Sequence, residues 1–358
     1  MNMYVGMMAA VLILAYFMRG DKPENKDYIW LSCLLMFVLC GLRDVFSLGI
    51  DSKSSYIRIF RELGALDWSE VSGYSDSNQG FNYILKLFHT LTDGDYQAFF
   101  VLYTAFIMGV FGWFLSKYSV NPVQSFCYFW GLLCYIFLFD SIKQGIAMAF
   151  VTLAFDAIIG RRPVLYGILC AAAWWVHAPA LIFAPAYLIA EMKPGRLYLL
   201  FLAAMLALTF RFREEILELM LRYYGTEMQM NDMGFLGNKV IIMLGIVAAA
   251  LVLRPPTEED RVYGILLQFM GIAIVIQTYA SYNNTFERLA NYYFQFCVVF
   301  IPLVFQTDTR RSQLLDIKTE AMAKQLAPWA FCAFGVWRFA SYIQSNAWAW
   351  LPFRFFFE

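Results

Sequence analysis

The chain has 358 residues, 61% of them hydrophobic and 15% charged, with a mean hydropathy of +0.56. Soluble domains carry about 25% charged residues, so the composition excludes a water-soluble enzyme, a disordered tail and a fibrous protein, and leaves a polytopic membrane protein. Lys plus Arg equals Asp plus Glu at 27 each, so no net charge points to nucleic acid and basic residues matter by location only.

The apolar residues fall in blocks of roughly 14 to 22, about what one helical crossing of a 30 Å hydrocarbon core needs. The fold class expected is all-α: one membrane domain over residues 1–358, a polytopic transmembrane helix bundle of about 11–12 spans. Taken in chain order the spans lie near 1–18, 28–46, 96–116, 123–139, 144–159, 163–176, 178–191, 197–210, 238–253, 262–280, 289–306 and 328–346. The first block lacks a basic leader, so it reads as a retained span and not a cleaved signal. Between the second and third blocks, residues 47–95 make a large loop with two amphipathic patterns. One carries Tyr56, Ile57, Ile59, Phe60 and Leu63, the other Phe81, Ile84, Leu85, Leu87 and Phe88. A second loop, 211–237, opens with a third such stretch, Arg213 to Tyr224. Within the segment 307–327, residues Ser312 to Leu326 read as a further amphipathic helix.

Short connections rich in Lys and Arg mark the cytoplasmic side: Arg19 to Lys26, Arg161 and Arg162, Lys193 and Arg196, Arg254 and Arg261, and the stretch with Arg310, Arg311, Lys318 and Lys324. The loops 47–95 and 211–237 then face outward, with the turns at 140–143, near 177 and at 281–288. The seven cysteines all sit in apolar blocks, with no CxxC and only two histidines, so no metal or disulfide role is expected. His89, on a surface helix pattern, reads as structural.

A charge at bilayer depth costs about 3 kcal/mol, so polar clusters at span ends need a reason. Four stand out, all on the outer side: GLRDVFSLGID with Arg43, Asp44 and Asp51, followed by Tyr56; FDSIKQGIA with Asp140, Lys143 and Gln144; WWVHAPA with Trp174, Trp175 and His177; and YNNTFERLANYY with Asn283, Asn284, Glu287, Arg288, Asn291 and Tyr292. Three cations gathered beside aromatic and carboxylate groups want an anion, so Arg43, Lys143 and Arg288 are candidates to line a phosphate or pyrophosphate site. The alternative is that each is an interfacial anchor paired locally, Arg43 with Asp44, Lys143 with Asp140 and Arg288 with Glu287. His177 reads equally as a packing residue, and Trp175 as part of an aromatic belt or as a sugar-stacking surface.

At these residues the chain resembles the EpsG-type family of membrane proteins, which is associated with exopolysaccharide, capsule and O-antigen synthesis and is similar to Wzy polymerases. GLRDVFSLGIDSKSSYIRIF resembles the family's GLRD segment after an early span. NQGFNYILKLF resembles its E-P-G-[YF] region, with Gln79 where an acidic residue or proline is common. FDSIKQGIAMAF resembles its N-x-[IL]-R-Q segment, with Lys143 in the Arg place and Ser141 for Asn, and WWVHAPALIFAPAYL its H-x-[ST] segment, with Pro179 replacing the hydroxyl residue.

The resemblance implies a GT-C-like membrane glycosyltransferase of a bacterial inner membrane, polymerising undecaprenyl-pyrophosphate-linked oligosaccharide repeat units at the outer face. It implies no cofactor, no nucleic acid, and as partners the lipid-linked sugar, membrane lipid and a chain-length regulator protein. In that chemistry a pyrophosphate leaves, and cations stabilise its growing charge without a metal. Arg43, Lys143 and Arg288 are the expected clamp, with Gln144, Tyr56 and Tyr292 beside them, Trp175 toward the sugars, and Glu287 a substrate-binding residue also available as a base. The attacking hydroxyl needs a base. Asp51 or Asp44 is expected by analogy with GT-C enzymes, and His177 is the rival because an unperturbed imidazole titrates near 6.5 and an aspartate near 3.9. Inversion at the anomeric carbon would follow. A lipid-linked sugar flippase, or another membrane transferase such as a ligase or acyltransferase, is the competing class.

Overall fold

The structure is a computed structural model; it describes residues 3–51, 55–75, 78–193, 195–224, 238–254, 260–281, 285–306, 312, 314–347 and 349–358. The fold is all-helical, 79% helix, with no strand among the described residues. In chain order the helices are α1 (Met3–Met18), α2 (Lys26–Gly41), α3 (Ile57–Ala65), α4 (Gln79–Leu91), α5 (Tyr96–Tyr118), α6 (Pro122–Gly131), α7 (Cys134–Asp140), α8 (Ile142–Ile159), α9 (Pro163–Val176), α10 (Ala186–Glu191), α11 (Arg196–Arg211), α12 (Arg213–Tyr224), α13 (Asn238–Leu253), α14 (Arg261–Gln277), α15 (Thr285–Phe294), α16 (Cys297–Val304) and α17 (Ile317–Ser345). They form two compact units: the first is Met1–Ala157, Val164–Leu181 and Leu326–Glu358, the second Ile158–Pro163 and Ile182–Gln325.

Among the described residues, three helical stretches are long and apolar enough to cross a membrane, Tyr96–Tyr118, Ile142–Ile159 and Arg261–Ala280, and a fourth if α6 and α7 count as one span bent by 62°. The expected 11–12 spans are therefore not matched one for one by helices of full length. The apolar blocks are cut at places that hydropathy does not register. Leu133 takes a left-handed φ of 62° between α6 and α7, and Gln295 and Phe296 separate α15 from α16; the break at His177, in contrast, falls between the two runs expected at 163–176 and 178–191. The amphipathic stretch Ser312 to Leu326 is also not a separate element, since α17 runs unbroken from Ile317 to Ser345.

Local chemistry sets the helix starts of the first unit. Asp95 accepts from the N–H groups of Gln97 (2.8 Å) and Ala98 (3.2 Å) and opens α5. Asn121 accepts from Gln124 N (3.1 Å), with Pro122 in the first helical position of α6, satisfying donors that lack an intrahelical acceptor. Helices α2 and α5 pack antiparallel: Gly112 lies under Trp30 and Cys33 near the start of α2, and Gly41 beside Thr104 at its end. Helix α17 crosses α6 with backbones almost touching, since a Cβ on Gly131 would lie 2.3 Å from Gly335 Cα. Tyr128 donates to Pro328 O (3.2 Å) and Arg338 to Gly131 O at the same crossing.

In the second unit α14 is the buried axis, contacted by α10, α11, α13, α15 and α16. Arg254 donates to Leu303 O (2.6 Å) and pairs with Asp260, the cap of α14, while Arg261 pairs with Glu191 at 2.7 Å. A cluster of Tyr279, Ala280, Phe286 and Leu289 with Ile182, Ile216 and Ile276 seats α15.

Candidate functional site

The GLRDVFSLG turn follows the last residue of α2 and is locked by Gln97 at the start of α5. The Gln97 amide donates to Gly41 O (3.1 Å) and its oxygen accepts from Val45 N (3.2 Å). Asp44 is half-buried and accepts from Phe46 N (2.9 Å) and from the Ser47 hydroxyl, so it caps its own turn. Arg43, in contrast, is fully buried. Its guanidinium packs on two rings, 4.9 Å from the Phe100 centroid and 4.3 Å from that of Trp350, and Nη2 donates to Phe139 O at 2.9 Å. Arg43 Nε and Nη1 have no hydrogen-bond partner among the described residues. Burying a guanidinium costs several kcal/mol, and the two ring contacts offset about 2 kcal/mol or more each when desolvated.

The carbonyl that Arg43 holds belongs to the junction of α7 and α8, the FDSIKQG segment. Across Gly49 the Asp140 carboxylate faces Arg43: a Cβ on Gly49 would lie 2.9 Å from Asp140 Oδ1 and 3.2 Å from Arg43 Nη2. Asp140 and Gln144 are buried and Lys143 is half-buried. Lys143 stands in the first turn of α8. A cation there is disfavoured by the helix dipole, so Lys143 does not stabilise the helix it stands on.

A second pair of segments meets at the end of α9. His177 is buried where α9 gives way to the 3₁₀ turn Ala178–Phe183, its N–H donating to Ala173 O (2.9 Å) and its carbonyl accepting from Ala180 N (2.8 Å). Asn78 accepts from Ala178 N at 3.0 Å. Gly80 lies against Trp175, where a Cβ would come within 2.6 Å of the indole, and Tyr83 stacks on that indole with centroids 6.0 Å apart. Trp175 is half exposed, at 48%. Gln79 donates to Ser72 O (2.9 Å) and to Ser75 O, tying α4 to the loop before it. Tyr56 is buried with its ring edge-on to Phe81 (5.6 Å), and Asp51 is half-buried.

Both meetings lie at one end of the first unit, which holds the end of α2, the start of α5, the start of α8 and the end of α9. Phe60 joins α3 to this end through Tyr96 and Phe99, at 5.3 and 5.6 Å. The ion pair of Lys117 with Asp156 lies at the other end of α5 and α8. In the segment between α2 and α5, Tyr74 donates to Glu62, and this bond, with Arg58 beside it, holds the Glu62 carboxyl below its usual range. Burial, and then Glu62, push the Tyr74 phenol up to about 12.

The fourth cluster belongs to the second unit. There α13 supplies Lys239, whose Nζ lies 3.0 Å from Glu287 Oε1 and 2.8 Å from Asn291 Oδ1 over the Phe294 ring (4.8 Å). Arg288 is exposed and Tyr292 fully buried on α15, and Asn283 and Asn284 lie outside the described residues. Sequence reasoning did not single out Lys239, Gly49, Phe100 or Trp350. A tryptophan eight residues from the end of an apolar chain carries no local signal, whereas Gly49 stood within the GLRD segment already quoted.

The sequence model of the EpsG family matches residues 28–353 of the chain. No curated protein and no solved structure matches it.

Proposed function

The chain belongs to the EpsG family, which is associated with polysaccharide biosynthesis, and its apolar helices make it a multi-pass membrane protein; from that premise we propose that it is a polymerase of undecaprenyl-pyrophosphate-linked oligosaccharide repeat units, acting at the outer face of a bacterial inner membrane. The observation that carries this is the gathering of three polar segments at one end of the first unit, with Lys143 half-buried in the first turn of α8 beside the buried Arg43 and Asp140. A lipid diphosphate held by its chain among helices presents its head group at such an end.

In this account Lys143, in the first turn of α8, binds the diphosphate. Gln144 supports the same turn. As the bond from the anomeric carbon to the diphosphate oxygen breaks, its electron pair leaves with the lipid diphosphate, and the growing negative charge is met by a cation already in place. The attacking sugar hydroxyl forms the new bond from the opposite side and gives its proton to a base, Asp51 or His177. Asp44 is the weaker candidate, because both of its oxygens already serve its own turn. Trp175, backed by Tyr83, offers an aromatic face for a sugar ring. Arg43, fully buried with two rings packed on it, shapes the site and does not touch the diphosphate. Arg288, Glu287 and Tyr292 stand in the second unit, and this account does not draw on them.

The test is to incubate the purified protein in detergent with lipid-linked repeat units. A ladder of products longer than one repeat supports the polymerase. No chain growth, together with transbilayer movement of the same lipid in sealed vesicles, would replace it with a flippase.

A further inference from the structure

After α17 the chain turns back on itself. Asn346 donates to Leu351 O (3.0 Å) and accepts from Leu351 N (2.8 Å), closing the turn. The last residues then run along the GLRDVFSLG turn: Gly49 N donates to Ala349 O, Asp44 N to Arg354 O and Phe356 N to Leu42 O, each at 3.0 Å. This pairing seats Trp350, 1% exposed, on the Arg43 guanidinium, and Tyr4 (5.2 Å) and Tyr135 (6.0 Å) wedge its indole from the other sides.

A guanidinium has one strong planar constraint to offer its surroundings. With the Phe100 and Trp350 rings both packed on it, the guanidinium is held in place, and with it the direction of the Nη2 bond to Phe139 O. Phe139 and Asp140 end α7, and Lys143 stands three residues beyond Asp140. Resting on the polymerase reading, we propose that Trp350 is a positioning residue of the diphosphate site, fixing Arg43 so that Arg43 fixes the turn that presents Lys143. The terminal segment is thus part of the site, although no residue of it reaches the substrate.

The consequence is graded by ring chemistry. Trp350→Phe keeps a ring over the cation, and Trp350→Ala removes it. Two measurements on the full-length protein in detergent separate positioning from folding. The first is chain growth from lipid-linked repeat units: Trp350→Ala lowers turnover about thirtyfold, the rate equivalent of one desolvated cation–π contact, with KM changed by no more than about twofold and Trp350→Phe retaining most of the rate. The second needs no activity. With Lys143→Cys as a reporter, the rate of labelling at position 143 by a charged thiol reagent, read by mass spectrometry of that peptide, changes several-fold on adding Trp350→Ala and little on adding Trp350→Phe.

Wild-type turnover and unchanged labelling in Trp350→Ala would overturn the proposal. So would equal losses in Trp350→Ala and Trp350→Phe accompanied by equal falls in Tm, since that pattern belongs to folding alone. If the wild-type protein elongates nothing, the polymerase reading fails by itself, and the labelling still decides whether Trp350 orders the turn.

Discussion

Replacing Gly49 by alanine strikes the point where the GLRD and FDSIKQ segments meet. Gly49 has a φ of +89°, which L side chains rarely adopt, and its new Cβ would lie 2.9 Å from Asp140 Oδ1 and 3.2 Å from Arg43 Nη2. The backbone term is about 1–2 kcal/mol. Displacing a buried carboxylate or loosening its guanidinium adds about 1–3 kcal/mol, so Gly49→Ala should cost about 2–5 kcal/mol, at the upper end for a single substitution. Gly94→Ala is the matched control. Its φ is +79°, but the nearest atom to its Cβ is the His89 Nε2, 3.3 Å away at the tip of a side chain, so only the backbone term of about 1–2 kcal/mol applies. Thermal unfolding of both variants in one detergent, followed by circular dichroism, gives the difference directly. Gly49→Ala should melt clearly below Gly94→Ala. Equal melting temperatures would refute the claim that Gly49 closes over the buried Arg43 and Asp140 side chains.

Arg43→Ala leaves Asp140 buried without that guanidinium, a loss of about 3–5 kcal/mol; the amount of folded protein in the membrane should fall, and Arg43→Ala combined with Asp140→Asn should recover part of it, as measured by detergent-resistant yield. Gly131→Val puts side-chain atoms where Gly335 Cα stands, so α6 and α17 must separate and Tm should drop by the equivalent of about 3 kcal/mol or more; an unchanged Tm would contradict the crossing. The Glu62 carboxyl is held below its usual range by Tyr74 and then Arg58, so its contribution is present above the unfolded value, about 4.3, and is lost as pH falls through the lower folded value. The Tm difference between wild type and Glu62→Gln should therefore be present at neutral pH and shrink as the pH is lowered through the carboxylate range.

Several elements were legible because their causes are local. The block expected near 96–116 is α5, opened by Asp95, and the amphipathic patterns at 56–63, 81–88 and 213–224 are α3, α4 and α12. The number of full-length crossings was not legible, because a left-handed Leu133 or a break at Gln295 leaves no mark on hydropathy, whereas the break at His177 showed as a gap between two short apolar runs. Within the site, sequence proximity suggested Arg43 with Asp44, but Asp44 caps its own turn and Asp140 faces Arg43 across Gly49. Glu287 likewise takes Lys239, 48 residues earlier, as its partner. Such pairings depend on which helix ends come together, and a single sequence carries periodicity, not tertiary neighbours. The terminal strap was invisible for the same reason: its only marks are aromatic residues in an aromatic-rich chain.

The central claim is that Lys143 meets the leaving diphosphate. The most direct measurement compares purified wild type, Lys143→Ala and Lys143→Arg for chain growth on lipid-linked repeat units, with Tm checked in parallel. Lys143→Ala should keep its Tm and lose at least about a hundredfold in rate, the order seen when one transition-state donor is removed, while Lys143→Arg should retain substantial elongation. A product ladder of wild-type length and rate from Lys143→Ala would contradict the account.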